Sequence, residues 1–381
     1  MELKKELIQL AKNAQCASRA LANISSSKKN KALKAMAAAL LKNKELIIKA
    51  NNIDVREAKK NKLSPALIDR LVLNESRIQL MADSLLEIAK LTDPVGEVIK
   101  AWRRPNGLWI HKVRCAIGVI AIIYESRPNV TSDCIALCLK SGNSVILRGG
   151  SEAINSNLAI FKVLDKAALD CGIPAGAINL VATKDRKAVD QLLGLNQYID
   201  LVMPRGGEGL INHVASKSKI PVIKHYKGIC HVYVDEWADM NMATHICFNA
   251  KVQRPGVCNA MESMLVHRDV AWRFLPVMAK KFKDAKVELR GCATTCNIVK
   301  GIKKATEEDY KTEYLGLKLS VKVVNNVGEA IEHINNYGSH HSDSIVTENY
   351  DNAMLFLRCV DSACVYINAS TRFTDGNNRS D

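Results

Sequence analysis

Aromatic side chains are scarce in this chain of 381 residues: Phe, Tyr and Trp together make up 5%. Stacking on aromatic rings is the common way of holding unpaired bases. A nucleic-acid partner is therefore not expected, although 54 basic and 39 acidic residues leave a net charge of +15. That surplus is read as a solvated basic surface or as an attraction for small anions. No run of about 18 uncharged apolar residues occurs, so no membrane-spanning helix is expected. The opening MELKKELIQLAKNAQ lacks the apolar centre and small-residue cleavage site of a secretory signal, which makes the cytoplasm the expected compartment. The twelve cysteines include no CxxC pair. Cys134/Cys138 and Cys292/Cys296 have CxxxC spacing, but no His/Cys set completes a zinc site. No metal is expected, and most of the thiols are expected to be small buried hydrophobes in a reducing compartment. Internal repeats and low-complexity stretches are also missing.

Apolar residues are plentiful, at 48%, enough for a large core. Residues 1–92 show apolar positions at three- and four-residue spacing and predict helices, with a break and cap at Ser25 to Ser27. Pro105-Asn106-Gly107 reads as the turn of a β-hairpin. After it, continuous apolar runs such as IGVIAIIYE and NSVILRGG alternate with amphipathic ones such as NSNLAIFKVLDKAALDCG. Uninterrupted apolar strands between helices predict βαβ units, hence an α/β fold with a doubly wound parallel sheet. AINLVA, YIDLVMPRGG and PVIKHY continue the pattern. From about residue 228 a second unit begins with CHVYVDE, a helix through Cys247, and strands in ESMLVH, VELRG, SVKVVNN, DSIVTE and CVYINAS.

Three places carry chemistry. LRGGSEA, with Arg148, Gly149 and Gly150, and PRGGEG, with Arg205, Gly206 and Gly207, each lie between a buried strand and a helix, where backbone N–H groups face anions. Neither is a G-x-G-x-x-G fingerprint, and two tight turns account for the glycines as well as a phosphate does. In YESRPNVT, Asn129 follows a strand whose carboxyl end faces a ligand crevice. It is either an oxyanion donor or a helix cap. In NAKVQRPGVCNAMESMLV, Cys258 follows a proline-glycine turn and Arg254. A cysteine at the start of a helix and near a cation is a thiolate candidate; the alternative is an inert core thiol.

YESRPNVT, SGNSVILRGG, IPAGAINLV, MPRGGEGL, IPVIKHYKGICHVYVDE, NAKVQRPGVCN, HSDSIVT and VYINASTRFTDG follow one another in order. Together they closely resemble the gamma-glutamyl phosphate reductase (glutamate-5-semialdehyde dehydrogenase) family of the aldehyde dehydrogenase superfamily, over nearly the whole chain. The resemblance implies NADPH-dependent reduction of gamma-glutamyl phosphate in proline biosynthesis. Cys258 aligns with the catalytic cysteine, and Asn129 with the oxyanion asparagine that partners the Cys258 N–H. Arg148 falls where relatives carry a cofactor-contacting lysine, and Glu313 in TEYLG where they hold the nicotinamide ribose. Arg127, Arg205, Arg254 and Arg372 become candidates for the anionic ligands. Where hydrolytic relatives keep a general-base glutamate, this chain reads KHYKGICH, as suits a reductase. The resemblance further implies a homo-oligomer in the family and, as an expectation, functional coupling to glutamate 5-kinase.

The expected organisation is an NADP-binding domain at 1–95 and 116–227, an oligomerisation hairpin at 96–115, a catalytic domain at 228–365 and a C-terminal segment at 366–381. Family members continue beyond STRFTDG, whereas this chain reads STRFTDGNNRSD and stops. The expectation is thus a shortened chain with doubtful oligomerisation, for which an impaired or inactive relative is the alternative. An enzyme acting on another acyl donor, such as a thioester, is a further rival.

Overall fold

A computed structural model describes residues 2–223 and 227–375. Backbone contacts divide the chain into two compact units, Met1–His225 and Tyr226–Asp381.

The first unit opens with helices α1 (Glu2–Leu21), α2 (Ser26–Lys42), α3 (Lys44–Lys60), α4 (Pro65–Leu71) and α5 (Glu75–Lys90). The Ser25 side chain caps α2 by accepting the N–H of Lys28. Between α2 and α3 the chain leaves helical geometry at Asn43 (φ −105°, ψ 20°). Strands β1 (Val98–Arg103) and β2 (Trp109–Val113) pair antiparallel. Their turn needs Gly107, whose φ is +88°, a region costly for residues with a Cβ.

The rest of the unit alternates: β3 (Val119–Tyr124), α6 (Asn129–Lys140), β4 (Ser144–Arg148), α7 (Ile154–Asp170), β5 (Ile178–Leu180), α8 (Lys187–Leu193), β6 (Leu201–Arg205) and α9 (Glu208–Lys217). The strands form a parallel sheet in the order β5-β4-β3-β6. Why β3 is apolar throughout is visible in its packing. Val119, Ala121 and Ile123 enter one core with α1 and α8, while Ile120, Ile122 and Tyr124 enter another with α2, α5, α6 and α7. Side chains alternate across a strand, so burial on both faces demands an unbroken apolar run. PVIKHY adds only a parallel bridge, Val222 to Val202; residues 224–226 lie outside the described residues.

The second unit contains β7 (Cys230–Val234), α10 (Met240–Val252), β8 (Met261–His267), α11 (Arg268–Asp284), β9 (Glu288–Gly291), α12 (Ala293–Ile298), β10 (Lys303–Lys304), α13 (Glu307–Tyr310), β11 (Lys318–Val324), α14 (Val327–Tyr337), β12 (Ser342–Val346), α15 (Tyr350–Cys359) and β13 (Cys364–Ile367). Its parallel sheet has the order β10-β9-β11-β8-β7-β12-β13. Val232, Val234, Met264 and Val266 pack against α10 and α11. Tyr233, Leu265 and Ile345 face α14 and α15. The α/β expectation with doubly wound parallel sheets is met. Among the described residues, no helix is long and apolar enough to cross a membrane.

The cysteines depart from expectation. All twelve are free, but only Cys138, Cys230 and Cys247 are buried; Cys16, Cys115 and Cys359 are exposed and the rest intermediate. Cys16 and Cys359 lie toward the ends of amphipathic helices, where the polar face meets water.

Candidate active site

In the first unit, the loops at the carboxyl ends of β3, β4 and β6 carry the singled-out residues. Chain order runs outward from β3 to β4 and β5, then returns to β6 on the other side of β3, which makes the β3/β6 edge the switch point where such sheets bind ligands. Glu125 ties these loops together. Its backbone N–H donates to the Arg205 carbonyl at 3.1 Å, and its carboxylate accepts the Gly207 N–H at 2.9 Å. Glu152 does the same between β3 and β4, accepting the N–H and hydroxyl of Ser126, both at 2.7 Å.

Arg127 and Asn129 are exposed just after β3. Asn129 is not a cap. It is the first residue of α6, behind Pro128, and that helix end has no side-chain cap bond. Its amide Nδ2 instead lies 3.4 Å from the Asp133 carboxylate one turn on. Arg148 is buried; its Nη1 donates to the Gly149 carbonyl at 2.9 Å. Its Nε has no hydrogen-bond partner among the described residues, and burial lowers its pKa. Gly149 and Gly150 sit against the Asn157 and Glu152 side chains, and Gly206 against Glu125, with no room for a Cβ. Arg205, Gly206 and Gly207 are exposed.

In the second unit, the Cys258 segment differs from expectation. Cys258 is not at a helix start; it occupies a turn between α10 and β8. Helix α10 ends at Val252 because Pro255 follows, and a residue before proline resists helical geometry. The run after Cys258 continues as strand. The expected helix start at this cysteine is therefore not there. It is half-buried, with Arg254 exposed on the same turn.

Two more singled-out residues, Glu313 and Arg372, meet there. Gly228 lies so close that a Cβ would fall 1.8 Å from the Cys258 carbonyl oxygen, and its N–H donates to Glu313 Oε1 at 2.8 Å. Glu313 is thus half-buried beside the cysteine turn rather than a solvated surface carboxylate. Arg372 reaches the other flank: its Nε donates to Gln253 Oε1 at 3.1 Å, and its Nη1 donates to Asn259 Oδ1. A second sulfur is near. The Cys230 thiol donates to the Cys258 carbonyl at 3.2 Å, and burial holds its pKa well above the ordinary thiol range. It stays protonated and is no rival nucleophile. The glutamate-free stretch KHYKGICH is described only from Lys227 onward.

Sequence reasoning missed a charged pair under this turn. Lys251 and Glu262 are wholly buried and 2.5 Å apart, Nζ to Oε2. Burial raises Glu262 and lowers Lys251, each toward its neutral form. A signal existed. The buried positions Ala243, Cys247 and Ala250 of α10 share the helical face of Lys251, and Glu262 is the one carboxylate within the fully buried strand Met261–His267.

Comparison with known proteins completes the description. The family model described as aldehyde dehydrogenase family matches residues 3–296. A gamma-glutamyl phosphate reductase of Halothermothrix orenii is 54% identical over 376 residues, 99% of this chain and 90% of that protein. One from Caldanaerobacter subterraneus subsp. tengcongensis is 57% identical over 366 residues, 96% of this chain and 88% of that protein. Among solved structures, the gamma-glutamyl phosphate reductase of Thermotoga maritima superposes with a TM-score of 0.94 at 47% identity, covering 97% of this chain and 90% of that one.

Proposed function

The chain belongs to the aldehyde dehydrogenase family, and within it to the gamma-glutamyl phosphate reductases; from that membership we propose that it reduces L-glutamyl 5-phosphate to L-glutamate 5-semialdehyde in proline biosynthesis, using NADPH. It is an oxidoreductase by family. The proposed nucleophile is the Cys258 thiolate. It attacks the acyl-phosphate carbonyl, a C–S bond forms, the C–O bond to phosphorus breaks, and inorganic phosphate leaves with both electrons of that bond. A reduced nicotinamide dinucleotide supplies, when bound, the hydride that takes the thioester to the aldehyde, with the C–S bond breaking to return the Cys258 thiolate. Asn129 Nδ2 and the Cys258 N–H are the proposed oxyanion donors. Arg127, Arg254 and Arg372 are proposed for the substrate's charges, and Glu313 for the nicotinamide ribose.

The observation that carries the reading is the packing around one sulfur: Gly228 against the Cys258 carbonyl, Glu313 on the Gly228 N–H, and Arg372 on Asn259. An anionic dinucleotide fits the β4 end on one feature, the unpartnered buried Nε of Arg148, which an anion would satisfy. Residues 148–150 and 205–207 are the proposed cofactor turns, although Glu125 already occupies the Gly207 N–H. Residues 96–115 are proposed for oligomerisation, supported by the exposed Val98, Ile99, Trp109 and Val113. An acyl phosphate hydrolyses readily, so coupling to the kinase that makes it, glutamate 5-kinase, belongs to the same proposal.

The test runs the reaction backward, following NADPH formed from glutamate semialdehyde, phosphate and NADP. Cys258→Ala should lose at least about 10,000-fold in turnover, and Asn129→Ala about 100- to 1,000-fold in kcat, with both variants folded and binding NADPH. Turnover by Cys258→Ala at the parent's rate would overturn the reading. A folded parent that binds NADPH without any turnover would mark an inactive relative.

A further inference from the structure

We propose that Glu262, which takes no part in the chemistry, is the positioning residue of the Cys258 site: it fixes the bend of the segment carrying Glu313, and through Glu313 the backbone laid on the cysteine. The proposal rests on the roles just given to Cys258 and Glu313.

The Lys251–Glu262 pair is wholly enclosed. Taking two charges out of water is costly, and packed apolar side chains of the same volume often serve stability as well or better. A core of Met, Leu and Val around β8 has no need of it for cohesion. The second oxygen of the carboxylate supplies a geometric reason. Glu262 Oε1 accepts the N–H of Leu315 at 3.1 Å. Leu315 has φ +51°, a left-handed conformation that is unfavourable for a residue with a Cβ and holds only where the surroundings enforce it. The Leu315 carbonyl faces the approach to the cysteine turn, 3.7 Å from where a Cβ on Gly256 would stand. Two residues before the bend, Glu313 turns back to accept the Gly228 N–H at 2.8 Å, and Gly228 lies against the Cys258 carbonyl. From Lys251 to Cys258 each link is a hydrogen bond, a covalent neighbour or a direct contact.

Two demands on position 262 separate here. The negative charge answers Lys251; the oxygen answers the Leu315 N–H. Lys251→Met/Glu262→Gln removes both charges and keeps an oxygen. Lys251→Met/Glu262→Leu removes both charges and the oxygen. Both are made in the full chain. Hydrogen exchange of the amides in 311–317, measured without dinucleotide, should match the parent in the Gln variant and be about tenfold faster in the Leu variant, the worth of one hydrogen bond to backbone. The NADPH dissociation constant, read from nicotinamide fluorescence, should stay within about twofold of the parent in the first and rise about tenfold in the second. Equal exchange and equal affinity in the two variants overturn the proposal. If Leu does not fold at 262, Met is read in its place; failure of both beside a folded Gln variant makes the oxygen a requirement of the fold and likewise overturns the positioning role. Glu313→Gln keeps the two ideas apart. Unchanged NADPH affinity there removes the role of Glu313 itself, whereas weakened affinity with indistinguishable double variants removes only the proposal for Glu262.

Discussion

One buried imidazole contributes to how the second unit responds to acid. His333 is buried on α14, with Lys322 Nζ 3.4 Å from its Nδ1 and its Nε2 without a hydrogen-bond partner among the described residues. Tyr310, Tyr337 and His231 enclose the ring at 5.0, 4.5 and 5.7 Å between centroids. Burial, reinforced by His231 and the Lys322 ammonium, brings its pKa down to about 2. A histidine lowered in this way favours the neutral folded form. Its contribution is complete above about pH 6.5, the unfolded value, and is lost as pH falls toward 2 because only the unfolded chain takes up the proton. The loss amounts to about 2 kcal/mol by pH 5. Urea unfolding of the parent and of His333→Gln at pH 7.5 and 5.0 should show their stability difference changing by about that amount; parallel pH curves would refute it. None of this was legible in EAIEHINNYG, where His333 is one polar letter on an amphipathic helix. Cys258 was legible because its neighbours Pro255 and Gly256 announce a turn, but its helix start was misread. The strand in ESMLVH was legible from its apolar letters; what the letters hid is that Cys258 stays in the turn, with no helix between it and β8.

At the scale of elements, starts were harder to read than middles. Helix α7 was visible from its periodicity and its glycine stop. Its beginning has no cap of its own, since Ala153 stands at the N-cap without a side-chain bond. The cap comes from a distant element. Asp54 of α3, itself buried, accepts the Asn155 N–H at 3.2 Å, the Ser156 N–H at 2.7 Å and the Ser156 hydroxyl at 2.5 Å. A carboxylate there also meets the positive end of the helix dipole. Those partners are about a hundred positions away in sequence, so no local window contains the signal. Asp54→Ala leaves buried donors unanswered and should cost about 2–4 kcal/mol, with Asp54→Asn recovering about half. Equilibrium urea unfolding gives both numbers. A loss below about 0.5 kcal/mol for the alanine variant would mean that water replaces the carboxylate and that α3 does not hold α7.

For the whole molecule, the class of fold was readable and the strand order was not. Apolar runs such as VIAIIY must be covered on both faces, which fixes parallel sheets between helices, but nothing in the letters tells β8 to lie between β7 and β11. Charge is the other property that belongs to the whole chain. The net +15 is spread over many helices rather than gathered in one motif, so it acts as a field and not as a binding site. Both proposed ligands, NADPH and an acyl phosphate, are anions, and a field of this kind raises the rate of encounter more than the lifetime of the complex. Screening shortens its reach from about 30 Å at 0.01 M salt to about 10 Å at 0.1 M. The association rate of NADPH, followed by stopped-flow fluorescence, should therefore fall about tenfold between 10 and 300 mM KCl, while the dissociation rate changes by less than about threefold. An association rate indifferent to salt would show that the lysine surplus serves solvation alone. A dissociation rate that rises as steeply as association falls would instead locate the attraction in charge contacts of the bound state, with Arg148 the first to substitute.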